Sequence, residues 1–222
     1  MPLLPYGLPL ALYLGGVSLL GFIPRHYAAG YIGVTLLAAA GTAAVLRGRG
    51  IVRPHGRVGA GVAIGLLGIA LWIALAELGL ERQLASWLPK FLQPGERPGF
   101  NPWEALPSVA ARWAFIVVRM LGLVVLVPLA EELFWRGFLW RWIQNPNWTE
   151  VPLGQWHWPS LVGVTLCFTA VHPEWLAAAV YGTLVGLLWV WQRDLWQCVV
   201  AHATSNLVLG IYILATRSWH LW

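Results

Sequence analysis

The sequence predicts an all-α, polytopic membrane bundle of about seven transmembrane helices, and three observations carry that prediction. The chain is 59% hydrophobic and only 10% charged, with a mean hydropathy of +0.66. Soluble domains average roughly 25% charged residues. The apolar residues fall into seven runs separated by short polar or Pro/Gly-rich stretches. Sixteen tryptophans, many near the ends of those runs, fit the aromatic belts of a bilayer interface.

The runs can be taken in order, each judged against the roughly 20 residues needed to cross a bilayer. The first, about Tyr6 to Phe22, ends at Pro24-Arg25-His26. It lacks the basic start and small-residue cleavage site of a signal peptide, so it is read as a retained helix. The second is about Tyr27 to Leu46, and the third about Val58 to Leu80, with Glu77 reaching the interface at its far end. Between them lies RGRGIVRPHGR, whose Arg47, Arg49, Arg53 and Arg57 form the densest positive cluster and mark a cytoplasmic loop. Glu81 to Arg112 is mixed: LERQLASWLPKFL fits a short amphipathic surface helix, and QPGERPGFNP a loop.

The fourth run, from about Trp113 to Ile143, is longer than a bilayer requires. Pro128 is expected to kink it and to free a carbonyl that needs a partner. A polar loop from Gln144 to Pro159 follows. The fifth run, Ser160 to His172, is short and stopped by Pro173. The sixth is about Trp175 to Trp191, and the seventh, after the Arg193-Asp194 turn, about Leu195 to Ala215. Counting from the arginine loop puts the N-terminus, the 144–159 loop and the 193–194 turn in the cytoplasm. Residues 1–112 read as peripheral helices plus an amphipathic connector, and 113–222 as the helix core of one integrated membrane domain.

The charge balance excludes some functions. The surplus of +5 comes from 13 arginines and one lysine against nine acids. It sets orientation and makes no basic face long enough to track nucleic-acid phosphates. Arginine in place of lysine points to a GC-rich genome, and so to a bacterial inner membrane. Cys167 and Cys198 sit in apolar runs without a CxxC partner, so no disulfide framework is implied.

Chemistry is concentrated where charge enters the apolar runs, because ionisable groups in a membrane need a partner or a task. Glu131, Glu132 and Arg136 stand at the end of the almost purely apolar stretch from Phe115 to Ala130. Glu132 and Arg136 are four apart and share a helix face, so they can pair. Glu131 projects about 100° away and is left for something else. CFTAVHPE carries Phe168 and His172 in an FxxxH spacing. VAHATSNLVL carries His202 and Asn206 in an HxxxN spacing, again on one face. At about 1.5 Å per residue, Glu131, His172 and His202 lie roughly 18, 18 and 12 Å from the cytoplasmic ends of their helices. Three polar sites at similar depth suit a buried cavity entered from the cytoplasmic side. A carboxylate, two imidazoles and an amide suit amide hydrolysis: a buried glutamate as base, histidine to orient water or protonate the leaving amine, and donors for an oxyanion. Ser205 has no obvious buried acid of its own. Cys198, four before His202, reads as a small hydrophobe more readily than as a nucleophile.

EELFWR, FTAVH and HATSN resemble the EExxxR, FxxxH and HxxxN motifs of the CPBP family, the intramembrane CAAX proteases and bacteriocin-processing proteins (Abi, Rce1-like). All three stand in family order, and the likeness covers about Trp113 to Thr216. The small, Trp-rich form also resembles the CAAX-protease-related proteins that accompany bacterial exosortase systems. The resemblance implies a glutamate-dependent endopeptidase acting within the membrane on a protein or peptide substrate, of which lipidated proteins are the type case. Carried across, it makes Glu131 the base and His172 its partner on the water. His202 and Asn206 form the oxyanion hole, with Glu132, Arg136 and Phe168 in support. No cofactor is expected. Zinc is the alternative, since Glu, His and His can ligate it, although there is no HExxH. The same polar groups would also suit a non-proteolytic scaffold or immunity protein on the same fold. A proton-linked transporter is disfavoured, because the groups cluster instead of lining a path. Arg119, deep in the fourth run, is expected to snorkel to a lipid phosphate or to pair with Glu77.

Overall fold

The computed structural model describes residues 2–87, 89 and 99–222. The described residues form helices and no strands. In chain order these are α1 (Leu4–Leu20), α2 (Tyr27–Leu46), α3 (Gly59–Glu77), the short α4 (Leu80–Ala85) and α5 (Pro102–Ala105), then α6 (Val109–Gln144), α7 (Trp158–Ala170), α8 (Trp175–Gln192) and α9 (Leu195–Thr216). Five of them are long and apolar enough to cross a membrane: α2, α3, α6, α8 and α9. The apolar α1 and α7 are shorter. The expected amphipathic helix from residue 80 extends to Ala85, and the remainder of that segment lies largely outside the described residues.

α6 starts at Val109, four residues earlier than hydropathy places it, because the Ser108 side chain accepts from the Ala111 amide and caps the helix. Pro128 does not interrupt it. The helix instead changes register, with π-helical stretches at Gly122–Leu126 and Leu133–Leu139 on either side of Val127–Glu132, the turn that carries both glutamates. In the first stretch the Val127 amide donates to Gly122 O. The next amide in that register would reach Leu123 O, but it belongs to proline and has no hydrogen. Asn206 Nδ2 of α9 donates to Leu123 O at 2.8 Å and takes its place. The carbonyl freed by the proline thus finds its partner on another helix.

α9 runs through the middle of the bundle. α3 lies against both α9 and α8, and its glycines allow the approach: a Cβ at Gly65 would stand 2.5 Å from Ala201 O, and one at Gly61 would stand 2.6 Å from Gln197 O. α1 packs on α2 and on the glutamate turn of α6, with Gly137 against the Tyr6 ring. Leu133, Trp140, Phe168, Leu188 and Trp189 form the apolar centre.

The arginine loop, the 144–159 loop and the 193–194 turn meet at one end of the bundle. His55 Nε2 pairs with Asp194 Oδ2 at 2.7 Å, Trp196 Nε1 donates to His55 O, and Gly154 sits against the Arg193 backbone. At the other end, Glu81 Oε1 accepts from the amides of Leu176 and Ala177 and caps α8. Burial raises the Glu81 carboxyl pKa above its usual range, and the two amide donors pull against it. Single-cysteine variants at Arg53 and Gln155 should be labelled by an impermeant reagent from the same side of the membrane, and that side should be cytoplasmic. Labelling from opposite sides would refute the seven-helix count.

Candidate active site

One stripe of α6 supplies the floor of the site. Arg119, Leu123, Val127 and Glu131, spaced four apart, all line a cavity of about 390 Å³. Over these twelve residues the stripe is about 18 Å long. Glu131 is 6% exposed, and its Oε2 accepts from Trp135 Nε1 one turn further on, at 3.2 Å.

Glu132 faces away from the cavity, into the protein. It is fully buried, as is Arg136, and Oε1 accepts from Arg136 Nη1 at 3.0 Å. The same oxygen takes His202 Nδ1 at 3.0 Å. Arg136 also donates through Nη2 to Gly182 O and lies 5.7 Å from the Phe168 ring centre. One carboxylate therefore anchors a guanidinium on its own helix and an imidazole on α9. With Nδ1 committed to Glu132, His202 presents Nε2 as its remaining functional atom.

His172 follows the end of α7. Its Nδ1 lies 2.7 Å from Phe168 O; a carbonyl only accepts, so Nδ1 carries the hydrogen. The ring stacks on Phe168 at 4.3 Å and meets Trp72 edge-on at 5.7 Å. Phe168 also stands 6.3 Å from His202, and so spaces the two imidazoles. Asn206 holds Leu123 O with one amide hydrogen and retains a second.

Glu131, His172, His202 and Asn206, which sequence motifs single out on three different runs, all line the one cavity, together with Phe168. Glu132 and Arg136 stand behind its wall. Ser205 reaches the cavity, but its Oγ is engaged within 3.0 Å of Gly65 O, Ala201 O and Tyr181 Oη. Cys198 is fully buried and is not part of the wall. Among the described residues no three His, Cys, Asp or Glu side chains gather as a metal ion would require.

Two expectations change. From the sequence, entry is from the arginine-loop end. The cavity walls run the other way, from Glu131 and His202 to Tyr27, Leu221 and Trp222. The reason is packing: on the arginine-loop side Leu133, Trp140, Trp189 and Cys198 fill the bundle. Arg119 does not meet Glu77. Glu77 accepts from Tyr212 Oη at 2.9 Å, while Arg119 Nη1 donates to Tyr27 Oη at 2.8 Å. Trp72, Trp135 and Tyr181 are site residues that sequence reasoning missed. Only Trp135 had a local signal, its i+4 spacing from Glu131.

The hydrogen bond to Leu123 O makes a prediction. Asn206→Leu should lower stability by about 1–3 kcal/mol, the cost of an unpaired buried carbonyl. Adding Pro128→Ala should recover part of the loss by restoring an amide donor within the helix. Melting temperatures in detergent read both, and a double variant no more stable than the single one would contradict the pairing.

No curated protein and no solved structure matches the chain. Residues 112–208 match the family model described as type II CAAX prenyl endopeptidase, Rce1-like. That segment runs from the first turn of α6 to the Val208 turn of α9 and contains all three motifs and the five motif residues that line the cavity. Over this segment the chain is thus similar to the Rce1-like type II CAAX prenyl endopeptidases.

Proposed function

We propose that the cavity hydrolyses a peptide bond in a membrane-associated protein, with Glu131 as general base. One observation carries the proposal: three motifs on three helices deliver Glu131, His172, His202 and Asn206 to the same wall. Both histidines are held through Nδ1, and His202 presents its Nε2 to the cavity. In this mechanism a water lies between Glu131 and His172. Glu131 takes its proton as the oxygen attacks the scissile carbonyl. The tetrahedral oxyanion takes the second amide hydrogen of Asn206 and an Nε2–H of His202. A His202 that donates from both nitrogens is an imidazolium; with Arg136 it sets two cations against the single Glu132 carboxylate, and the oxyanion supplies the second negative charge. Collapse breaks the C–N bond, and the proton held by Glu131 passes to the leaving amine. The reaction uses no metal. The substrate is a protein or peptide held at the membrane, including lipidated ones.

Purified protein in detergent, incubated with a library of acylated peptides, tests the proposal. Cleavage products should appear by mass spectrometry with the wild type and be lost with His172→Ala. Turnover should survive dialysis against a zinc chelator. Loss that added zinc restores would favour a metal-dependent protease. Peptide binding without any cleavage would favour a scaffold.

A further inference from the structure

The cavity has a second polar pole that this mechanism leaves idle. Arg119 lines it about 18 Å along α6 from Glu131, across the apolar Leu123 and Val127. Of its five N–H donors, the hydrogen bond to Tyr27 Oη uses one. Among the described residues no carboxylate pairs with it. Its guanidinium rests against aromatic rings, 4.8 Å from the centre of Tyr31 and 5.2 Å from that of Trp222. Those rings hold the cation without neutralising it. Tyr13 and Tyr31, hydroxyl to hydroxyl at 2.8 Å, line the same end. A cation in a membrane-spanning helix that faces a cavity, with no anion paired to it among the described residues, is suited to receive one.

We propose that Arg119, with the Tyr27 hydroxyl, is a subsite for a carboxylate of the peptide substrate, either a side chain or the C-terminus. Guanidinium matches carboxylate with two parallel hydrogen bonds. At about 3.3 Å per extended residue, the stripe of roughly 18 Å sets that carboxylate about five residues from the bond that is cut. The proposal rests on Glu131 marking the reacting end. The neutral stretch between the poles lies over Leu123 and Val127, which suits apolar side chains. The cavity thereby selects for both charge and spacing.

The test uses the full chain in detergent and N-acylated peptides in which one Asp is walked along a neutral sequence. Each peptide is paired with its Asn analogue, and each is made with a free and an amidated C-terminus. Binding is read by fluorescence anisotropy on Glu131→Gln, and cleavage by mass spectrometry on the wild type. Peptides carrying a carboxylate about five residues from the cut should bind roughly 10- to 100-fold more tightly than their neutral partners. Arg119→Gln should abolish that ratio, and Arg119→Lys should keep part of it. The ratio is first measured without any change at Arg119, so a poorly folded variant does not decide the matter. Equal affinity for charged and neutral peptides, or a ratio that survives Arg119→Gln, overturns the subsite. Charge-dependent binding with no cleavage by the wild type supports the subsite and removes the endopeptidase proposal. Cleavage without charge dependence does the reverse. A final arm asks whether phosphatidylglycerol stays bound in native mass spectra. Retention that needs Arg119 and resists the Asp peptides would assign the guanidinium to a lipid phosphate and sink the proposal.

Discussion

Glu131→Gln should lower turnover by roughly 10²–10⁴, the contribution of a general base, and should leave the fold intact. The amide keeps the shape of the side chain and can still accept from Trp135 Nε1, which the carboxylate meets at 3.2 Å. It cannot take a proton from water. Nor does it cost stability, because a neutral amide is cheaper than a carboxylate in a membrane interior. The comparison to make is initial rate against melting temperature in the same detergent. A fully active Glu131→Gln protein would remove Glu131 from the mechanism. An inactive and poorly folded one would show that Glu131 is structural.

Glu132→Gln should fail in the opposite way, through stability. The residue is fully buried and accepts from both Arg136 and His202. Removing its charge leaves the Arg136 guanidinium buried and uncompensated. Breaking a buried pair from one side costs roughly 3–5 kcal/mol. The variant should therefore melt well below the wild type or express poorly. Replacing Glu132 and Arg136 together by apolar residues should recover part of the stability, since no lone charge remains. It should not recover activity, because His202 then loses the carboxylate that fixes its ring. That split separates a mere ion pair from one that also positions His202: a double variant both stable and active would leave Glu132 with no part in the chemistry. Equal stability of Glu132→Gln and wild type would overturn the division of labour between the two glutamates.

Much of this was visible before any coordinate. Hydropathy placed the apolar helices to within a few residues, because a bilayer constrains length and polarity locally. The Glu132–Arg136 pair follows from the roughly 3.6 residues in each helical turn, and so does the separation of Glu131 from it. The motif residues Glu131, His172, His202 and Asn206 stood out because polar groups in apolar runs are costly. The continuation of α6 through Pro128 was not visible. A proline predicts a lost hydrogen bond; whether the helix kinks or shifts register depends on what neighbouring helices offer to the freed carbonyl.

What the sequence determined by itself is the set of helices, their apolar character and the local spacing of the motif residues, all consequences of backbone periodicity and of solvent. What only the tertiary structure decided is which of those residues meet. Glu132 and His202 are 70 residues apart, and Asn206 and Leu123 are 83 apart, and no helical period links them. The same holds for the direction of the cavity. Large side chains fill one end of the bundle, and Arg119 is left facing the open space at the other. Packing sets these contacts, since each depends on the volumes of side chains that converge from helices distant in the chain.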